Sequence, residues 1–429
     1  MHYDVIVIGA GLAGLTAAEA AREEGARVLL LARGMGSLPL VSGGIDGLGY
    51  FPVGSKNPLA SPFEALSGLS KARPEHPYAR LGGERILAAL AHFQEMTRLG
   101  GMPYAGSFHA NILISTALGT FRPTCLVPES MKKGDLSRAG AVLLLGFEGL
   151  KDFSPRMAAE NLNLMQSQGK IAPSFRAGDP VPADANGRSR SALSLADAFD
   201  EAGSRRKMID QLKRSLKKEE RLGLPAVLGI RRSHEVWEEM EKALGVEIFE
   251  IPTPPPSVPG LRLHHLIRSS LQQKGVRILI GLSSVKIFPE SGQIKGVALG
   301  DREKGPLYTA SAFVLATGKF FGGGLDSVRG RIFETLLDLP VDFSSRRQDW
   351  FRSALLVPDG QPLNSFGVEV NPILQPVDRQ GQVVYSNLFA AGGILAHGDS
   401  MAEKSGGGVA IATGYWAGKL AAEQARRNQ

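Results

Sequence analysis

The N-terminal segment alternates between apolar strands and an amphipathic helix. Tyr3–Ile8 is an almost continuous apolar run, which is typical of a strand buried in a parallel sheet. The glycine-rich stretch Gly9–Gly14 follows, and an Ala- and Glu-rich pattern then predicts a helix over Leu15–Gly25. A second apolar run, Arg27–Ala32, predicts another strand. This order, within about 30 residues, predicts a β-α-β unit.

The middle of the chain has a helical pattern interrupted by Pro- and Gly-rich loops. The apolar spacing predicts helices at Gly83–Leu99, Arg156–Gln168, Leu195–Arg221 and Arg232–Ala243. Five prolines among the ten residues of Ile251–Gly260 are incompatible with a continuous helix or a central strand. We therefore predict a linker there.

The strand and helix rhythm returns after this linker. The remaining pattern predicts, in chain order, a helix at 261–274, a strand at Val276–Ile280, a hairpin near 283–299, strands at Ala312–Leu315 and Asn387–Ala390, and a C-terminal helix at Gly406–Arg427.

Glycine is over-represented, with 52 among 429 residues, or about 12% against a usual value of about 7%. The glycines are not periodic, which excludes a collagen-like chain. They cluster at Gly9–Gly14, Gly43–Gly49, Gly322–Gly324 and Gly406–Gly408. Such clusters suit backbone that approaches a ligand closely.

The formal net charge of +7 is concentrated in one stretch, Arg205–Arg221. Its mixed charges predict a solvated helix face, with a surface for an acidic partner or an anionic lipid as the alternative. With 7% aromatic residues and no recognised motif, nucleic acid is not an expected partner.

The single cysteine, Cys125, excludes an intrachain disulfide and a Cys-rich zinc site. An iron–sulfur cluster normally needs about four thiolates, so any such cluster would belong to other subunits. We expect no metal site, and Cys125 is expected to be a small core residue. The chain enters a strand directly without a signal-peptide pattern, which indicates a cytoplasmic protein.

The turn after the first strand matches the G-x-G-x-x-G pattern with Gly9, Ala10, Gly11, Leu12, Ala13 and Gly14. The first glycine permits the tight turn, the second lets the backbone approach a pyrophosphate, and the third allows close packing of helix on strand. The helix N-terminus offers N–H groups to phosphate. We therefore predict that this turn binds a dinucleotide.

The second predicted strand departs from the usual pattern at its end. Most FAD and NAD folds place Asp or Glu there to accept ribose hydroxyls, whereas this chain has Arg33 and Gly34. Arg33 could contact a phosphate, as in NADP sites, or be a surface residue. Both alternatives remain open from the sequence.

Four further segments favour flavin over nicotinamide. Ser37–Gly44 resembles the loop beside the isoalloxazine in fumarate reductase-like flavoproteins, and Ala316–Gly318 resembles the ATG motif of two-dinucleotide flavoproteins. Asn387–Gly393 and Asp399 resemble the last sheet strand and the acid that meets the flavin ribitol. Ser405–Gly408 opens a helix whose N–H groups could face the flavin pyrimidine. The candidate cofactor residues in these segments are Ser42, Gly43, Gly44, Thr317, Gly318, Gly392, Gly393, Asp399, Ser405, Gly406, Gly407 and Gly408.

Together these features predict an α/β protein with a Rossmann-type flavin-binding domain, a parallel sheet with a β-α-β start, and an inserted α+β cap or substrate domain. The flavin-binding domain is expected to comprise residues 1–75, 251–321 and 376–429. The cap domain is expected to comprise residues 76–250 and 322–375.

Longer segments resemble the B subunits of anaerobic glycerol-3-phosphate dehydrogenase. These segments are VSGGIDGLGYFP, ALGTFRPTCLVPES, LGFEGLKDF, PPSVPGLRL and AEKSGGGVAIATG. The resemblance implies a three-subunit complex at the inner face of the membrane that oxidises glycerol 3-phosphate to dihydroxyacetone phosphate and passes electrons to the quinone pool. It also implies an FAD-containing A-type subunit and an iron–sulfur C-type subunit, with FMN in the B-type chain. The pyrophosphate motif favours FAD over FMN.

The reaction that this resemblance implies needs a base for the hydroxyl proton and cations for the phosphate. His397 is the candidate base, and Arg122, Lys319 and Lys404 are candidate phosphate or flavin contacts, each with a structural role as the alternative. His264 and His265 are expected to be ordinary helix residues.

Three functions are compatible with the sequence. They are a flavoenzyme subunit acting on glycerol 3-phosphate or a similar phosphorylated substrate, a non-catalytic flavoprotein that relays electrons or scaffolds a partner, and a NAD(P)-dependent enzyme. Contact with a membrane is expected only through partner subunits or through the basic surface.

Overall fold

A computed structural model of the chain describes residues 1–182, 190–217, 220–300 and 306–427. The chain divides into two units. The first comprises Met1–Ser37, Asp46–Phe93 and Ile267–Gln429, and the second comprises Leu38–Ile45 and Gln94–Leu266.

The α-helices of the described residues are α1 (Leu12–Glu23), α2 (Pro62–Ala72), α3 (Pro77–Leu81), α4 (Gly83–Leu99), α5 (Glu129–Lys132), α6 (Pro155–Ser167), α7 (Ala192–Asp200), α8 (Ala202–Lys213), α9 (Ser233–Leu244), α10 (Val258–Gln273), α11 (Ser400–Glu403) and α12 (Gly406–Arg427). The strands are β1 (His2–Ile8), β2 (Val28–Ala32), β3 (Tyr104–Gly106), β4 (Ile112–Ser115), β5 (Phe121–Thr124), β6 (Leu126–Pro128), β7 (Ala141–Leu144), β8 (Ser174–Ala177), β9 (Arg221–Pro225), β10 (Ile248–Ile251), β11 (Arg277–Ile280), β12 (Val285–Glu290), β13 (Gln293–Leu299), β14 (Leu307–Leu315), β15 (Leu325–Val328), β16 (Arg331–Glu334), β17 (Val341–Asp342), β18 (Gly367–Val368) and β19 (Leu388–Ala390).

The first unit is built on a seven-stranded sheet in the order β11-β2-β1-β14-β13-β12, with β19 also paired to β14. Strands β11, β2, β1, β14 and β19 are parallel, whereas β12 and β13 add an antiparallel edge. The predicted α/β class with a β-α-β start is confirmed. Strand β14 begins at Leu307, whereas the predicted strand begins at Ala312. The first residues of β14 alternate between exposed and buried positions, so they do not belong to the continuous apolar run from which the strand was predicted.

The parallel centre of this sheet is buried. Val5, Ile6 and Val7 of β1 and Leu29–Leu31 of β2 have no exposed surface, as predicted for strands covered on both faces. Helix α12 packs against α1 through glycines: a Cβ added at Gly414 would lie 2.4 Å from the carbonyl oxygen of Ala13. The C-terminal helix therefore lies directly against the helix that follows the G-x-G-x-x-G turn.

The second unit contains a four-stranded parallel sheet in the order β10-β9-β7-β8 and two small antiparallel pairs, β3 with β6 and β4 with β5. None of these parallel strands was predicted from the sequence. Each is only four or five residues long, too short for a strand period to stand out from helical spacing. Their packing surfaces, which include Leu144, Leu222 and Phe249, form the core of this unit.

The units differ from the predicted domains at several boundaries. Residues 322–375 belong to the first unit, where the Ala396 N–H donates to the Val368 oxygen at 3.0 Å and the His397 N–H to the Ser365 oxygen at 2.8 Å. Residues 251–266 belong to the second unit, where Arg262 binds both carboxylate oxygens of buried Glu250. Residues 76–93 belong to the first. Pairings between distant segments decide these boundaries, and composition does not reveal them.

The basic stretch Arg205–Arg221 is not one solvated helix face. Helix α8 ends at Lys213, and Arg221 begins β9. Arg205 and Arg221 are both buried; Arg205 binds Glu239, and Arg221 donates to the backbone oxygens of Lys133 and Arg138 at 2.8 Å. The expectation of full solvation is wrong for these two residues, since their side chains pair with groups far along the chain.

Cys125 is fully buried and donates to the Ile45 oxygen, so the prediction of a small core residue is confirmed. His264 is buried in α10. Among the described residues, no helix combines the length and the apolarity needed to cross a bilayer.

Candidate functional site

The turn between β1 and α1 leaves one open position between two crowded ones. Gly9 has φ +119°, and a Cβ there would lie 2.2 Å from the Ala316 oxygen. A Cβ at Gly14 would lie 1.9 Å from the Gly9 oxygen. A Cβ at Gly11 would meet no atom of the described residues within 4 Å. Gly9 and Gly14 are therefore required for packing, whereas the space beside Gly11 is free for a ligand.

The N-terminus of α1 is suited to an anion. Gly11 is the N-cap residue, no side chain caps it within the described part of the chain, and the first turn contains no acidic residue. The first N–H groups of a helix have no partner within the helix, and they carry its positive dipole end. Free N–H groups beside an open backbone position fit the predicted pyrophosphate cradle.

The C-terminal end of β14 adds a second indication of a ligand. The Thr317 hydroxyl oxygen is buried and has no hydrogen-bond partner among the described residues. Burying such a group without a partner costs about 1–3 kcal/mol, so a ligand that binds it would recover this energy. Gly318, at φ +71°, lies next to Gly393, where an added Cβ would be 3.6 Å from the Gly318 Cα. The structure thus brings three of the predicted cofactor residues together.

The loop after β2 folds back on the same turn. A Cβ at Gly36 would lie 2.6 Å from the Gly11 Cα. Arg33 and Gly34 are exposed, and an Arg33 guanidinium nitrogen lies close to Gly323 of the Gly322–Gly324 run. Arg33 is therefore bordered by solvent and by a glycine-lined loop. Its two alternative roles, a phosphate contact and a surface residue, both remain predictions.

The start of α12 is held by neighbouring backbone and side chains. The Gly408 N–H donates to the Asp46 oxygen at 2.8 Å, and a Cβ at Gly408 would lie 2.2 Å from the Tyr78 hydroxyl. The predicted group Ser405, Gly406, Gly407 and Gly408 is thus in place at the helix N-terminus. However, the Gly408 N–H is already used by the protein, which leaves Gly406 and Gly407 as the candidate contacts.

A buried carboxylate fixes the short helix before α12. The Glu403 side chain has no exposed surface and lies 2.7 Å from the Arg73 guanidinium and 3.1 Å from His76 Nε2. It also accepts hydrogen bonds from the Ser405 hydroxyl at 2.8 Å and the Asp399 N–H at 3.1 Å. Burial by itself would raise the pKa of Glu403, but hydrogen bonding from His76 and the charge of Arg73 lower it to about 2.

His76 links this carboxylate to α3. Its Nδ1 accepts the Tyr78 N–H at 3.1 Å, which leaves Nε2 to carry the proton shared with Glu403. The Tyr78 hydroxyl donates in turn to the Gly47 oxygen at 2.7 Å. This chain of contacts connects α3, α11 and α12.

Asp399 caps the short helix α11. One of its carboxylate oxygens accepts the N–H groups of Met401 and Ala402, each at 3.0 Å. The other lies 3.4 Å from the Asn364 amide nitrogen. The carboxylate predicted to meet the flavin ribitol is therefore also an N-cap, so its cofactor role stays a prediction with a structural role beside it.

Lys319, directly after the ATG segment, extends its ammonium into the protein. The residue keeps some exposed surface, but Nζ donates to the Asn364 oxygen and to the Gly398 oxygen, the latter at 3.2 Å. Burial lowers the pKa of Lys319 to about 8, and the nearby carboxylates of Asp399 and Glu403 offset only part of this effect. Desolvation therefore makes the charged form of this ammonium less favourable than in water. The ammonium lies beside the segments predicted to bind flavin.

His397 adopts a strained conformation and has an unused nitrogen. Its φ of +67° is uncommon for a residue with a side chain. Nδ1 faces Asp342 at 3.6 Å, whereas Nε2 is buried without a hydrogen-bond partner in the described residues. Strained backbone of this kind recurs at functional sites. The geometry is compatible with the predicted base and does not test it.

The other predicted residues lie at different places. Lys404 ends α11 in the left-handed conformation, at φ +53°. Arg122, on β5, and Ser42, Gly43 and Gly44 belong to the second unit. There Gly43 has φ +85°, and the Tyr104 hydroxyl donates to its oxygen at 2.6 Å. Their roles stay predictions.

Comparison with known proteins agrees with this geometry. The family model named FAD binding domain matches residues 4–409. The probable anaerobic glycerol-3-phosphate dehydrogenase B subunit of Halobacterium salinarum is 35% identical, and the match covers 98% of each chain. The corresponding B subunit of Pectobacterium carotovorum is 33% identical over 96% of each chain. The chain belongs to the family of anaerobic glycerol-3-phosphate dehydrogenase B subunits.

Membership of this family confirms the predicted resemblance and a flavin-dependent oxidoreductase. The FAD binding domain match supports FAD as the flavin, which favours a flavoprotein over the NAD(P)-dependent alternative. Among solved structures, Mycobacterium smegmatis Sdh1 in complex with UQ1 is 13% identical, and the match covers 99% of this chain and 69% of that chain with a TM-score of 0.43. This similarity is too low to support an inference about chemistry.

The Glu403 network is the main feature of the site that the sequence pattern does not reveal. Glu403 lies within the quoted segment AEKSGGG, but its partner His76 is 327 residues away. No spacing rule connects two such positions. The Asp399 cap had a detectable signal, because aspartate before a helical segment is a common N-cap.

A cavity of about 550 Å³ lies elsewhere in the first unit, lined mainly by β12, β16 and the segment after β16. Its walls include Ile287, Phe333 and Glu334 and none of the predicted site residues. Burial raises the pKa of Glu334, which caps two backbone N–H groups, Leu336 and Leu337. This carboxylate is already bound by the protein, so it does not point to an alternative site.

Lys319→Met is expected to be at least as stable as the native chain at neutral pH. The folded-state pKa of about 8 lies below the ordinary 10.5, so the unfolded chain binds more protons between these values. The unfolding free energy of the native chain should therefore rise relative to that of the methionine variant through this window. Urea unfolding of the FAD-free forms across this pH range measures the difference.

Lys319→Arg is the matched control, because its guanidinium does not titrate in this range. Parallel stability curves for the native chain and Lys319→Met would contradict the assigned desolvation of Lys319.

Proposed function

We propose that the chain is the FAD-containing B-type component of a multi-subunit dehydrogenase that oxidises glycerol 3-phosphate to dihydroxyacetone phosphate and passes the electrons through partner subunits to the quinone pool. The observation that carries the proposal is the relationship to proteins named as anaerobic glycerol-3-phosphate dehydrogenase B subunits over nearly their whole length. The open position at Gly11 and the unpaired Thr317 hydroxyl support it, because they suit a bound dinucleotide.

The cofactor contacts proposed from the structure lie in the first unit. Gly9–Gly14 and the N-terminus of α1 would hold the pyrophosphate, Thr317, Gly318 and Gly393 would lie along the ligand, and the start of α12 would hold the pyrimidine end. When bound, the flavin supplies the acceptor for the hydride that leaves the secondary alcohol carbon. Denaturation and identification of the released cofactor by mass would distinguish FAD from FMN.

His397 is the proposed base. Removal of a hydride from the alcohol carbon leaves the hydroxyl proton to be taken up as the carbonyl forms. Nε2 of His397 is the buried, unpaired ring nitrogen, and Asp342 on the Nδ1 side would hold the tautomer with the proton on Nδ1. His397 would therefore accept the proton at Nε2.

Lys319, Lys404 and Arg122 are the proposed phosphate or flavin contacts. A lysine ammonium has three N–H donors, and Lys319 uses two of them on the Asn364 and Gly398 oxygens. Within the described part of the chain no group accepts from the third, which remains for an anionic ligand. Because the ammonium is desolvated, its charge acts more strongly on such a ligand than an exposed lysine would.

A second function is favoured by one observation. The Asp399 carboxylate and two of the three Lys319 donors are already bound by the protein, so few groups remain for a substrate. A non-catalytic flavoprotein that relays electrons or scaffolds a partner dehydrogenase would need no such groups. We keep this relay role as the alternative.

The proposed partners are an FAD-containing A-type subunit and an iron–sulfur C-type subunit. The relatives are named as B subunits, which supports an assembly with other subunits. The single cysteine is buried, so additional iron–sulfur carriers would have to be held by a partner. The proposed location is the cytoplasmic face of the membrane.

Anaerobic addition of glycerol 3-phosphate to the purified, FAD-loaded chain separates the two functions. Bleaching of the visible flavin absorbance in the isolated chain supports catalysis. Bleaching only after addition of an A-type subunit supports the relay. No bleaching in either case would contradict both.

His397→Gln is expected to lower the rate of this bleaching at least about 100-fold, because general-base catalysis typically contributes a factor of about 10²–10⁴. FAD affinity should stay within a few fold. Stopped-flow reduction at saturating substrate measures the effect.

Asp342→Asn is the matched control, because it keeps the shape of the His397 neighbour and removes its charge; a smaller loss of rate is expected. A His397→Gln variant that reduces FAD at the native rate would exclude His397 as the base.

A further inference from the structure

An exposed apolar loop in the first unit has no role in the proposed reaction. In residues 351–358, Leu355 and Leu356 are 84% and 91% exposed, and Phe351 is 54% exposed. Isolated exposed leucines are common on protein surfaces, but adjacent ones at this exposure indicate a contact site. We call residues 351–358 the leucine loop.

The leucine loop is held by its ends. Trp350, before it, is 1% exposed and donates through its indole N–H to the Ser344 oxygen at 2.7 Å. Gln361, after it, donates to the Ala354 oxygen at 2.7 Å and the Leu355 oxygen at 3.0 Å, and accepts the Arg352 N–H at 2.7 Å. The backbone is thus tied down while the two leucine side chains point into solvent.

The charges around the leucine loop are mostly positive. Exposed Arg346 and Arg347 precede Trp350, and Arg352 lies within the loop. Asp349 pairs with Arg346, and the Asp359 carboxylate after the loop lies against Gly54, 2.2 Å from the position of an added Cβ. The surface therefore combines an apolar tip with a rim in which three arginines outnumber two aspartates, in a chain of net charge +7.

We propose that the leucine loop inserts its apolar tip into the surface of a membrane that contains anionic lipids. Leucine side chains on a protruding tip match the boundary of acyl chains and headgroups, and arginines beside them match the lipid phosphates. A specific protein interface usually buries about 800 Å² per partner, for which two protruding leucines offer little area. This direct contact through an apolar tip adds to the two routes expected from the sequence, partner subunits and the basic surface, and it does not depend on the proposed reaction.

Vesicle flotation of the full-length, FAD-loaded chain at physiological salt tests the proposal. We expect binding to vesicles of equimolar phosphatidylcholine and phosphatidylglycerol, and weaker binding to phosphatidylcholine alone. Leu355→Ser/Leu356→Ser should lower the bound-to-free ratio at least about tenfold, because the inserted apolar area is lost. Leu118→Ser/Leu164→Ser is the matched control, since each of these leucines is 59% exposed and lies outside the loop.

A labelling experiment gives an independent readout. Because the native cysteine, Cys125, is fully buried, a Leu356→Cys variant accepts a polarity-sensitive fluorophore at the loop alone. Its emission should shift to the blue when anionic vesicles are added, and that of labelled Leu118→Cys should not.

Absence of native vesicle binding, unchanged binding by the double serine variant, or an unshifted Leu356→Cys emission would each overturn the proposal. Loss of co-purification with partner subunits in the double serine variant, with no vesicle binding by the native chain, would instead assign the loop to a protein partner.

Discussion

Replacement of Gly11 by valine is expected to weaken FAD binding roughly 100-fold, or by about 2.7 kcal/mol, without unfolding the chain. A Cβ at this position meets no atom of the described residues within 4 Å, so the protein leaves room for the start of the side chain. The space that the valine fills is the open side of the turn, where the backbone must approach the pyrophosphate. Titration of the FAD-free variant with FAD measures the loss.

Two matched variants separate ligand exclusion from damage to the fold. Gly14→Val places its Cβ 1.9 Å from the Gly9 oxygen, and is expected to destabilise the FAD-free protein as well. A Cβ at Gly203, in α8 of the second unit, likewise meets no described atom within 4 Å, so Gly203→Val should change neither property. Thermal unfolding must be compared in the FAD-free forms, because a bound ligand itself raises stability.

The Gly11 prediction has a clear opposite outcome. If Gly11→Val binds FAD as tightly as the native chain, the pyrophosphate does not lie at this turn. If the variant unfolds like Gly14→Val, the open space beside Gly11 does not exist in solution. Either result would contradict the proposed cofactor site.

Glu403→Gln is expected to reduce the unfolding free energy by about 3 kcal/mol at neutral pH. Removing one partner of a buried ion pair typically costs about 3–5 kcal/mol, because the remaining groups stay buried without compensation. Here the remaining groups are His76 and the partly buried Arg73. Chemical denaturation of the FAD-free forms measures the effect.

The pH dependence of this loss provides a second measurement. The folded-state pKa of Glu403, about 2, lies below its ordinary value of 4.5, so its stabilisation is fully present above about 4.5. It is lost as the pH falls from 4.5 toward 2, where the folded chain takes up the proton. The stability difference between native chain and variant should therefore shrink through this window.

Glu369→Gln is the matched control. Glu369 pairs with Arg80 at 3.2 Å in the same unit, but the side chains are 35% and 26% exposed, so a loss below about 1 kcal/mol is expected. Equal losses for the two variants, or a Glu403→Gln effect that does not change with pH, would contradict the role of Glu403 as a buried anion.

Much of the fold could be predicted because patterns within short stretches of the sequence specify it. The β-α-β start, the G-x-G-x-x-G turn and helices such as α4 and α12 follow from apolar spacing and glycine placement, and α12 begins and ends at the predicted residues. Whether Gly11 contacts a pyrophosphate remains a prediction, although the structure leaves it the necessary space.

The parts that could not be predicted involve groups brought together from far along the chain. Local spacing cannot show that residues 322–375 belong to the first unit, or that Arg205 and Arg221 are buried rather than solvated. The short strands β7–β10 carry too few residues to show a period.

Neighbouring residues alone specify the strand–turn–helix that can hold a dinucleotide, because that unit needs glycine at set positions within a short stretch of chain. The electrostatics around it depend instead on contacts between distant segments. Folding buries Glu403 against His76 and Arg73, and desolvates the Lys319 ammonium beside backbone oxygens. Each residue type carries an ordinary pKa, but the value in the protein depends on burial and on partners that only folding brings into contact.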